Sequence, residues 1–219
     1  MIVAIDGPAG VGKSTVAKLL AARLKYLYLD TGALYRAVAW AVLQHGVDMA
    51  NREAVAALLP LTSLKMEFEN ETVVVRVNGK DVTGELRSPA VSAAASIVSA
   101  IPAVRAWLLP VQRSIGKKGS IVAEGRDIGT KVFPSAAVKF FLEADATVRA
   151  QRRHRELVAA GHAREIEQTS AEMAGRDSRD RTRAVAPLVP AEDAHHIDTS
   201  RLSAAEVVDR MMGIIAAKL

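Results

Sequence analysis

Eight consecutive residues, Gly7-Pro8-Ala9-Gly10-Val11-Gly12-Lys13-Ser14, satisfy the pattern G-x-x-x-x-G-K-[ST] at every fixed position. Glycines let successive backbone N–H groups turn inward on phosphate oxygens, and a helix opening at the lysine adds partial positive charge. In that arrangement Lys13 reaches the β- and γ-phosphates, and the Ser14 hydroxyl is offered to Mg2+, which keeps most of its own waters. The apolar run Ile2–Asp6 before the loop and the three-and-four-spaced Val16, Leu19, Leu20, Leu24 and Leu27 after it supply the strand and helix it needs. The pattern implies a bound nucleoside triphosphate.

A second group of residues suits another phosphate. Arg36 lies one turn into a helix that follows Asp30-Thr31-Gly32, and Arg126-Asp127 follows a strand ending near Glu124. Parallel α/β sheets place ligands at the carboxyl ends of their strands, so that edge is expected to gather Lys13, Thr31, Tyr35, Arg36, Glu124, Arg126 and Asp127. Residues 149–183 carry nine arginines against six acids. A guanidinium is permanently charged and grips phosphate through a planar fork. Arg149 and Arg155 read as a solvated basic helix face, whereas Arg176-Asp177-Ser178-Arg179-Asp180-Arg181-Thr182-Arg183 interleaves acids that fix some side chains while others face a ligand. With Gly161 and Gly175 as hinges, this segment reads as a lid that excludes water and brings arginines to a transferring phosphoryl group. Transfer to an already ionised phosphate needs alignment and charge neutralisation and no general base. His195 and His196 are adjacent on a strand and point to opposite faces, which favours packing over metal binding.

These residues require a particular scaffold. Leu27-Tyr28-Leu29 is a second short strand, with a helix after it running to a stop at Gly46. Residues 65–83 switch to β-rich pieces separated by Glu69-Asn70-Glu71 and by Asn78-Gly79, a hairpin signal, and read as an antiparallel insertion. Ser88-Pro89 and Ile101-Pro102 open helices, and Pro110 inside the second is expected to kink or break it near Trp107 to Val111. Ser120–Ala123 and Val138–Leu142 are buried parallel strands, His196-Ile197-Asp198 ends a fifth, and Ser203-x-x-Glu206 is a capping box. Strands alternating with helices give an α/β fold, three layers with a central five-stranded parallel sheet and helices on both faces. The antiparallel insertion and a helical arginine-rich lid are added to it.

Composition narrows the classes further. With 219 residues, 50% apolar and 24% charged, the chain has a sizeable core and is not disordered, and the absence of cysteine excludes thiolate chemistry, disulfides and iron–sulfur clusters. A net charge of +5 points to an anionic partner, and 4% aromatic residues leave few stacking platforms for single-stranded nucleic acid. No window is apolar enough to span a membrane, and the first residues lack signal-peptide character, so the expected compartment is the cytoplasm. A switch GTPase reading lacks its base reader, since Asn78-Gly79-Lys80-Asp81 has the wrong order. The alternatives left beside a nucleotide kinase are another small-molecule P-loop kinase and, in a different class, a basic nucleotide-dependent RNA-binding module.

The strings IDGPAGVGKST, LDTGALYR, AEGRDIGTKVFP and RDSRDRTRAVAPLVPA, in this order, resemble the bacterial cytidylate kinase family of P-loop nucleoside monophosphate kinases over essentially the whole chain. The resemblance implies transfer of the γ-phosphate of ATP to CMP or dCMP, with Mg2+, by a monomer that needs no nucleic acid or membrane. It implies one kinase domain over 1–219, with a core at about 1–30, 118–148 and 187–219, a monophosphate-binding region at about 31–117 and a lid at about 149–186. ATP is assigned to Gly7, Pro8, Ala9, Gly10, Val11, Gly12, Lys13, Ser14, Thr15 and Arg152, with Ser14 on the metal. Thr31, Tyr35 and Arg36 belong to the monophosphate pocket, Arg36 and Arg126 to the acceptor phosphate, Ser96, Arg105 and Asp127 to cytosine, and Asp180 and Arg176 to the ribose. Arg183 closes on the phosphates, and Lys13, Arg126, Arg176 and Arg183 form the catalytic set. Where close relatives carry Ser or Asp, this chain has Thr31 and Glu124. Cytosine presents an amino donor where uracil presents an acceptor, so a carboxylate at Asp127 is expected to favour CMP over UMP.

Overall fold

The first strand, β1 (Ile2–Asp6), is apolar on both faces, with Val3, Ala4 and Ile5 fully buried, which is the signature of a central parallel strand. The computed structural model describes residues 1–69, 72–117, 119–162 and 164–218. Between β1 and the chain end come α1 (Lys13–Leu24), β2 (Leu27–Asp30), α2 (Thr31–Gln44), α3 (Arg52–Leu58), β3 (Leu64–Glu69), β4 (Thr72–Val77) and β5 (Lys80–Asp81). They are followed by α4 (Pro89–Val98), α5 (Pro102–Gly116), β6 (Ile121–Gly125), β7 (Val138–Glu143), α6 (Ala146–Ala159), α7 (Ile166–Thr182), β8 (His195–Asp198) and α8 (Ala204–Ala216). A 3-10 turn covers Leu59–Leu61 and a π-helical turn covers Ile128–Val132.

The central sheet is parallel and five-stranded, in the order β2-β6-β1-β7-β8. Ile2 to Asp6 pair in register with Ile121 to Gly125 on one side, and Val3 to Asp6 with Val138 to Phe141 on the other. Helices α1 and α8 pack together against this sheet, where Val16 and Leu20 meet Phe140, Leu142, Val207 and Met211 in one apolar cluster. The expected capping box opens α8: Ser203 Oγ accepts from Glu206 N while Glu206 returns a carboxylate oxygen to Ser203 N.

Two compact units make up the chain, one formed by Met1–Leu29 with Gly116–Leu219 and the other by Asp30–Ile115. In the second unit, α2 packs on the alanine-rich α4, where small side chains such as Ala37, Ala41, Ala94 and Ala95 let the helices approach closely. The antiparallel sheet β3-β4-β5 covers α2 through β4, with Val75 and Val77 buried. The β4–β5 turn is the expected Asn78-Gly79, both at positive φ (50° and 82°), the combination a type I′ turn requires. In the other expected break, Glu69-Asn70-Glu71, Asn70 and Glu71 lie outside the described residues.

Two elements depart from the sequence reading. Of the kink or break expected at Pro110, the break is absent: α5 is one continuous helix from Pro102 to Gly116. A proline removes one donor and crowds the preceding turn, but the buried face of Val104, Leu108, Gln112 and Ile115 continues on both sides of it and holds the helix in one piece. The sequence reading also contains no counterpart of α3, a two-turn helix capped by Asn51, whose side chain accepts from Ala54 N. Among the described residues no single helix is long and apolar enough to cross a membrane.

Candidate active site

In the first unit the phosphate loop follows directly from β1. Gly7 has no alternative: a Cβ there would sit 2.3 Å from the Leu142 carbonyl oxygen on the neighbouring strand. At Gly10, with φ +76°, a Cβ would meet Met173 Cε at 2.8 Å and the Arg149 carbonyl oxygen at 2.9 Å, so the crest of the loop lies hard against α6 and α7. Lys13 opens α1 and is buried, with Nζ donating to the Pro8 carbonyl at 2.6 Å. Burial, and after it the Arg126 guanidinium, holds this ammonium well below the ordinary lysine value, Arg176 acting the same way against Glu124 and Asp180. The phosphates of a nucleotide would favour the charged form of such a lysine. Ser14 is half-buried in the first turn of α1, and Thr15 beside it is exposed.

Glu124 ends β6 with 4% exposure, and the Tyr28 hydroxyl donates to its Oε1 at 2.5 Å. A hydroxyl at Ser14 and a carboxylate at Glu124 are hard oxygen donors, the kind that suits Mg2+ when phosphates and waters fill the remaining positions. Arg126 and Asp127 leave the same strand. Arg126 Nε donates to Asp180 Oδ2 at 2.9 Å and its Nη1 to the Gly125 carbonyl at 3.3 Å. Arg183, almost fully buried, donates from Nε to the Ala186 carbonyl at 2.6 Å. Its Nη1 lies 3.5 Å from Asp180 Oδ1 and its Nη2 3.5 Å from Asp127 Oδ1. Burial alone would raise the Asp180 pKa, but the charges of Arg126, Arg176 and Arg183 outweigh it and keep this carboxyl below its usual range. One carboxylate on α7 therefore contacts Arg126 and Arg183 and feels the charge of Arg176 as well.

Arg149 is not on a solvated face. Its side chain is 11% exposed, with Nη1 donating to the Ala9 carbonyl at 3.0 Å and to Asp177 Oδ2 at 2.5 Å, and Nε to the Ala144 carbonyl at 3.1 Å. It ties the phosphate loop to α7 through partners that sequence proximity does not reveal. Arg155 is exposed and donates to the Gln151 carbonyl of its own helix, as a solvated residue should. Arg152 donates to Thr199 Oγ1 at 3.0 Å and to the Thr199 carbonyl at 2.6 Å, while Thr199 Oγ1 donates to the Val11 carbonyl at 3.0 Å. Thr199 is thus a link between α6 and the phosphate loop that carries no sequence signal. His195 and His196 face different partners: His196 lies 3.1 Å from Glu143, and the His195 ring packs on Phe140.

In the second unit, Asp30 caps α2 by accepting from Ala33 N at 3.1 Å and pairs with Arg36 Nη2 at 2.7 Å, with Arg87 at 3.7 Å. Thr31 is buried beside it. The Arg105 guanidinium lies 5.2 Å from the Tyr35 ring centroid and donates to the Ser99 carbonyl at 3.2 Å, while Ser99 Oγ donates to the Ser96 carbonyl at 3.2 Å. Tyr35 and Arg105 are brought together; Ser96 and Arg105 are both buried and joined through Ser99. Burial would raise the Asp30 pKa, but Arg36 and then Arg87 bring it below the usual carboxyl value. Its folded form is therefore favoured above the unfolded carboxyl value, and that advantage is lost as pH falls through the depressed folded value. Asp30→Asn keeps a competent helix cap but removes the charge and the second oxygen that accepts from Arg36, so it should destabilise the protein by about 1–2 kcal/mol at pH 7. Urea unfolding at pH 7 and pH 3 checks this: the gap between wild type and variant should close in acid.

Comparison with known proteins follows the same lines. The cytidylate kinase family model matches residues 3–217. A cytidylate kinase of Geobacillus sp. (strain WCH70) is 48% identical over 217 residues, covering 99% of this chain and 97% of that protein. One of Pelotomaculum thermopropionicum is 47% identical over 216 residues, covering 98% and 96%. Among solved structures, an uncharacterized protein from Eubacterium ventriosum ATCC 27560 shares the fold with a TM-score of 0.55 at 13% identity, covering 99% of this chain and 98% of that one.

Proposed function

The chain belongs to the cytidylate kinase family, and from that premise we propose which of its residues carry the γ-phosphate of ATP onto CMP or dCMP and what each of them does. It is a nucleoside monophosphate kinase, a phosphotransferase whose acceptor is itself a phosphate. ATP enters with Mg2+; the loop from Gly7 to Thr15 wraps its phosphates, Ser14 meets the metal, and Arg152 supports the loop from α6. The metal neutralises charge on the phosphate oxygens when bound. Lys13 holds the β- and γ-phosphates, and Arg126, Arg176 and Arg183 stabilise the charge of the transferring group.

For the acceptor, the reading takes Arg126 for the CMP phosphate, Asp127 for the cytosine amino group, and Arg176 with Asp180 for the ribose. From the second unit it takes Thr31, Tyr35 and Arg36 for the monophosphate, and Ser96 and Arg105 for cytosine. Residues 149–186 act as a lid that closes when both nucleotides are present. The enzyme works as a monomer in the cytoplasm, on small-molecule substrates alone. The observation that carries this reading is the cluster of buried Lys13 and Arg183 and half-buried Arg126 and Arg176 around Glu124, Asp127 and Asp180. Several cations whose positions are fixed by neighbouring carboxylates suit a transferring phosphoryl group, and transfer to an ionised phosphate requires no general base.

The test is ADP formation from ATP and Mg2+ with CMP, dCMP, UMP, AMP and dTMP supplied separately, and with no acceptor. Turnover with CMP and dCMP at least about tenfold above UMP is expected. Asp127→Ala should lower kcat/KM for CMP by about 10–100-fold and narrow the CMP/UMP ratio, because a buried donor on cytosine loses its acceptor. An unchanged ratio would remove Asp127 from base reading. Turnover only with another acceptor would keep the phosphate loop and discard the cytosine pocket.

A further inference from the structure

Asp6 has no part in the roles assigned above, although it stands between the first strand and the phosphate loop. It is 4% exposed, and both its oxygens are committed to backbone: Oδ1 accepts from Ile128 N at 2.8 Å and Oδ2 from Gly129 N at 2.7 Å. Those two N–H groups open the π-helical turn Ile128–Val132, immediately after Arg126 and Asp127. Asp6 is paired in register with Gly125 across the β1–β6 ladder, so its side chain reaches along the exit path of the neighbouring strand. Gly129 allows the close fit, since a Cβ there would lie 3.1 Å from Lys139 Cδ and 3.4 Å from Asp6 Oδ2. Burial pushes the Asp6 pKa up to about 6, against the pull of the Gly129 and Ile128 amides, with Asp127 adding to the rise and Lys13 opposing it. A carboxylate placed at such expense, with backbone amides as its hydrogen-bonded partners, serves geometry.

We infer that Asp6 is a positioning residue for acceptor recognition: its two-pronged carboxylate fixes the Ile128–Gly129 backbone to the strand bearing the phosphate loop, and so sets where Arg126 and Asp127 stand. The inference rests on the reading of Asp127 as the cytosine reader. Asparagine at this position has one acceptor oxygen and sets an amino group against the second N–H. The turn then has one unanswered donor, and the backbone that carries Asp127 keeps only one of its two anchors on Asp6.

The experiment compares Asp6→Asn with wild type and with Asp127→Ala, measuring KM and kcat for CMP and UMP at saturating ATP, KM for ATP at saturating CMP, and thermal melting. Asp6→Asn should raise KM for CMP about tenfold and narrow the CMP/UMP ratio about fivefold, with KM for ATP held within about twofold. A folded variant with an unchanged ratio, or one in which ATP and CMP parameters fall together, overturns the inference. If Asp127→Ala narrows the ratio and Asp6→Asn does not, the positioning role fails and the cytosine reading stands. If Asp127→Ala leaves the ratio unchanged, the cytosine reading fails and the route through Asp6 fails with it. Hydrogen exchange on the wild-type enzyme covers the case in which Asp6→Asn does not fold. The Ile128 and Gly129 amides should gain more protection from CMP than from a non-hydrolysable ATP analogue, and an equal response to both would overturn the inference.

Discussion

Replacing Lys13 by methionine is expected to lower kcat by about a thousandfold while leaving the protein folded. The lysine is buried at the head of α1, its Nζ rests on the Pro8 carbonyl, and burial together with Arg126 disfavours its charged form. A cation kept in that setting weakens the empty protein. In the proposed role it is repaid when the β- and γ-phosphates arrive, because the charge that then develops on the transferring group would meet a donor already in position and already stripped of water. Methionine keeps the packing of the aliphatic stem and removes both the charge and the donor. Melting temperature should therefore stay level or rise, since an incompletely compensated buried charge is gone, while turnover collapses. A kcat within tenfold of wild type, in a variant that still binds both nucleotides, would contradict the role of Lys13.

The phosphate loop was legible in the sequence because its chemistry is local: eight contiguous residues specify the turn, the cation and the helix start. The strands flanking it were legible for a similar reason, as continuous apolar runs such as Val138–Leu142 have few other places to go. Partners separated by long stretches of chain left no such trace. Arg149 read as solvated because Ala9 and Asp177, which bury it, lie 140 and 28 residues away. Tyr28 on Glu124, Thr199 on Arg152 and Asp6 on the Ile128 turn were missed on the same ground, since sheet register and helix docking create each pair. The break that Pro110 allowed is absent, a strong local signal outweighed by the buried stripe of α5. Asp30 belongs to a legible motif, but its pairing with Arg36 exists only once the first turn of α2 has formed.

Arg126→Lys is expected to lower kcat about a hundredfold and to raise KM for CMP, although the charge is kept. The guanidinium already uses Nε on Asp180 and Nη1 on the Gly125 carbonyl, which fixes the plane of the fork. Among the described residues Nη2 has no such acceptor, so in the proposed role it is the edge offered to a phosphate oxygen. An ammonium on a flexible stem has one point of charge, and it can sit on Asp180 or on the phosphate but cannot hold both with a set angle. Asp180 makes the argument testable, because it also faces Arg183 at 3.5 Å and is held ionised by Arg126, Arg176 and Arg183 against its own burial. Asp180→Asn should release the same plane from the other side, and the double variant should lose much less than the product of the two single losses. Losses that multiply would mean that Arg126 and Asp180 act separately, and a kcat for Arg126→Lys within threefold of wild type would show that charge alone suffices at this position.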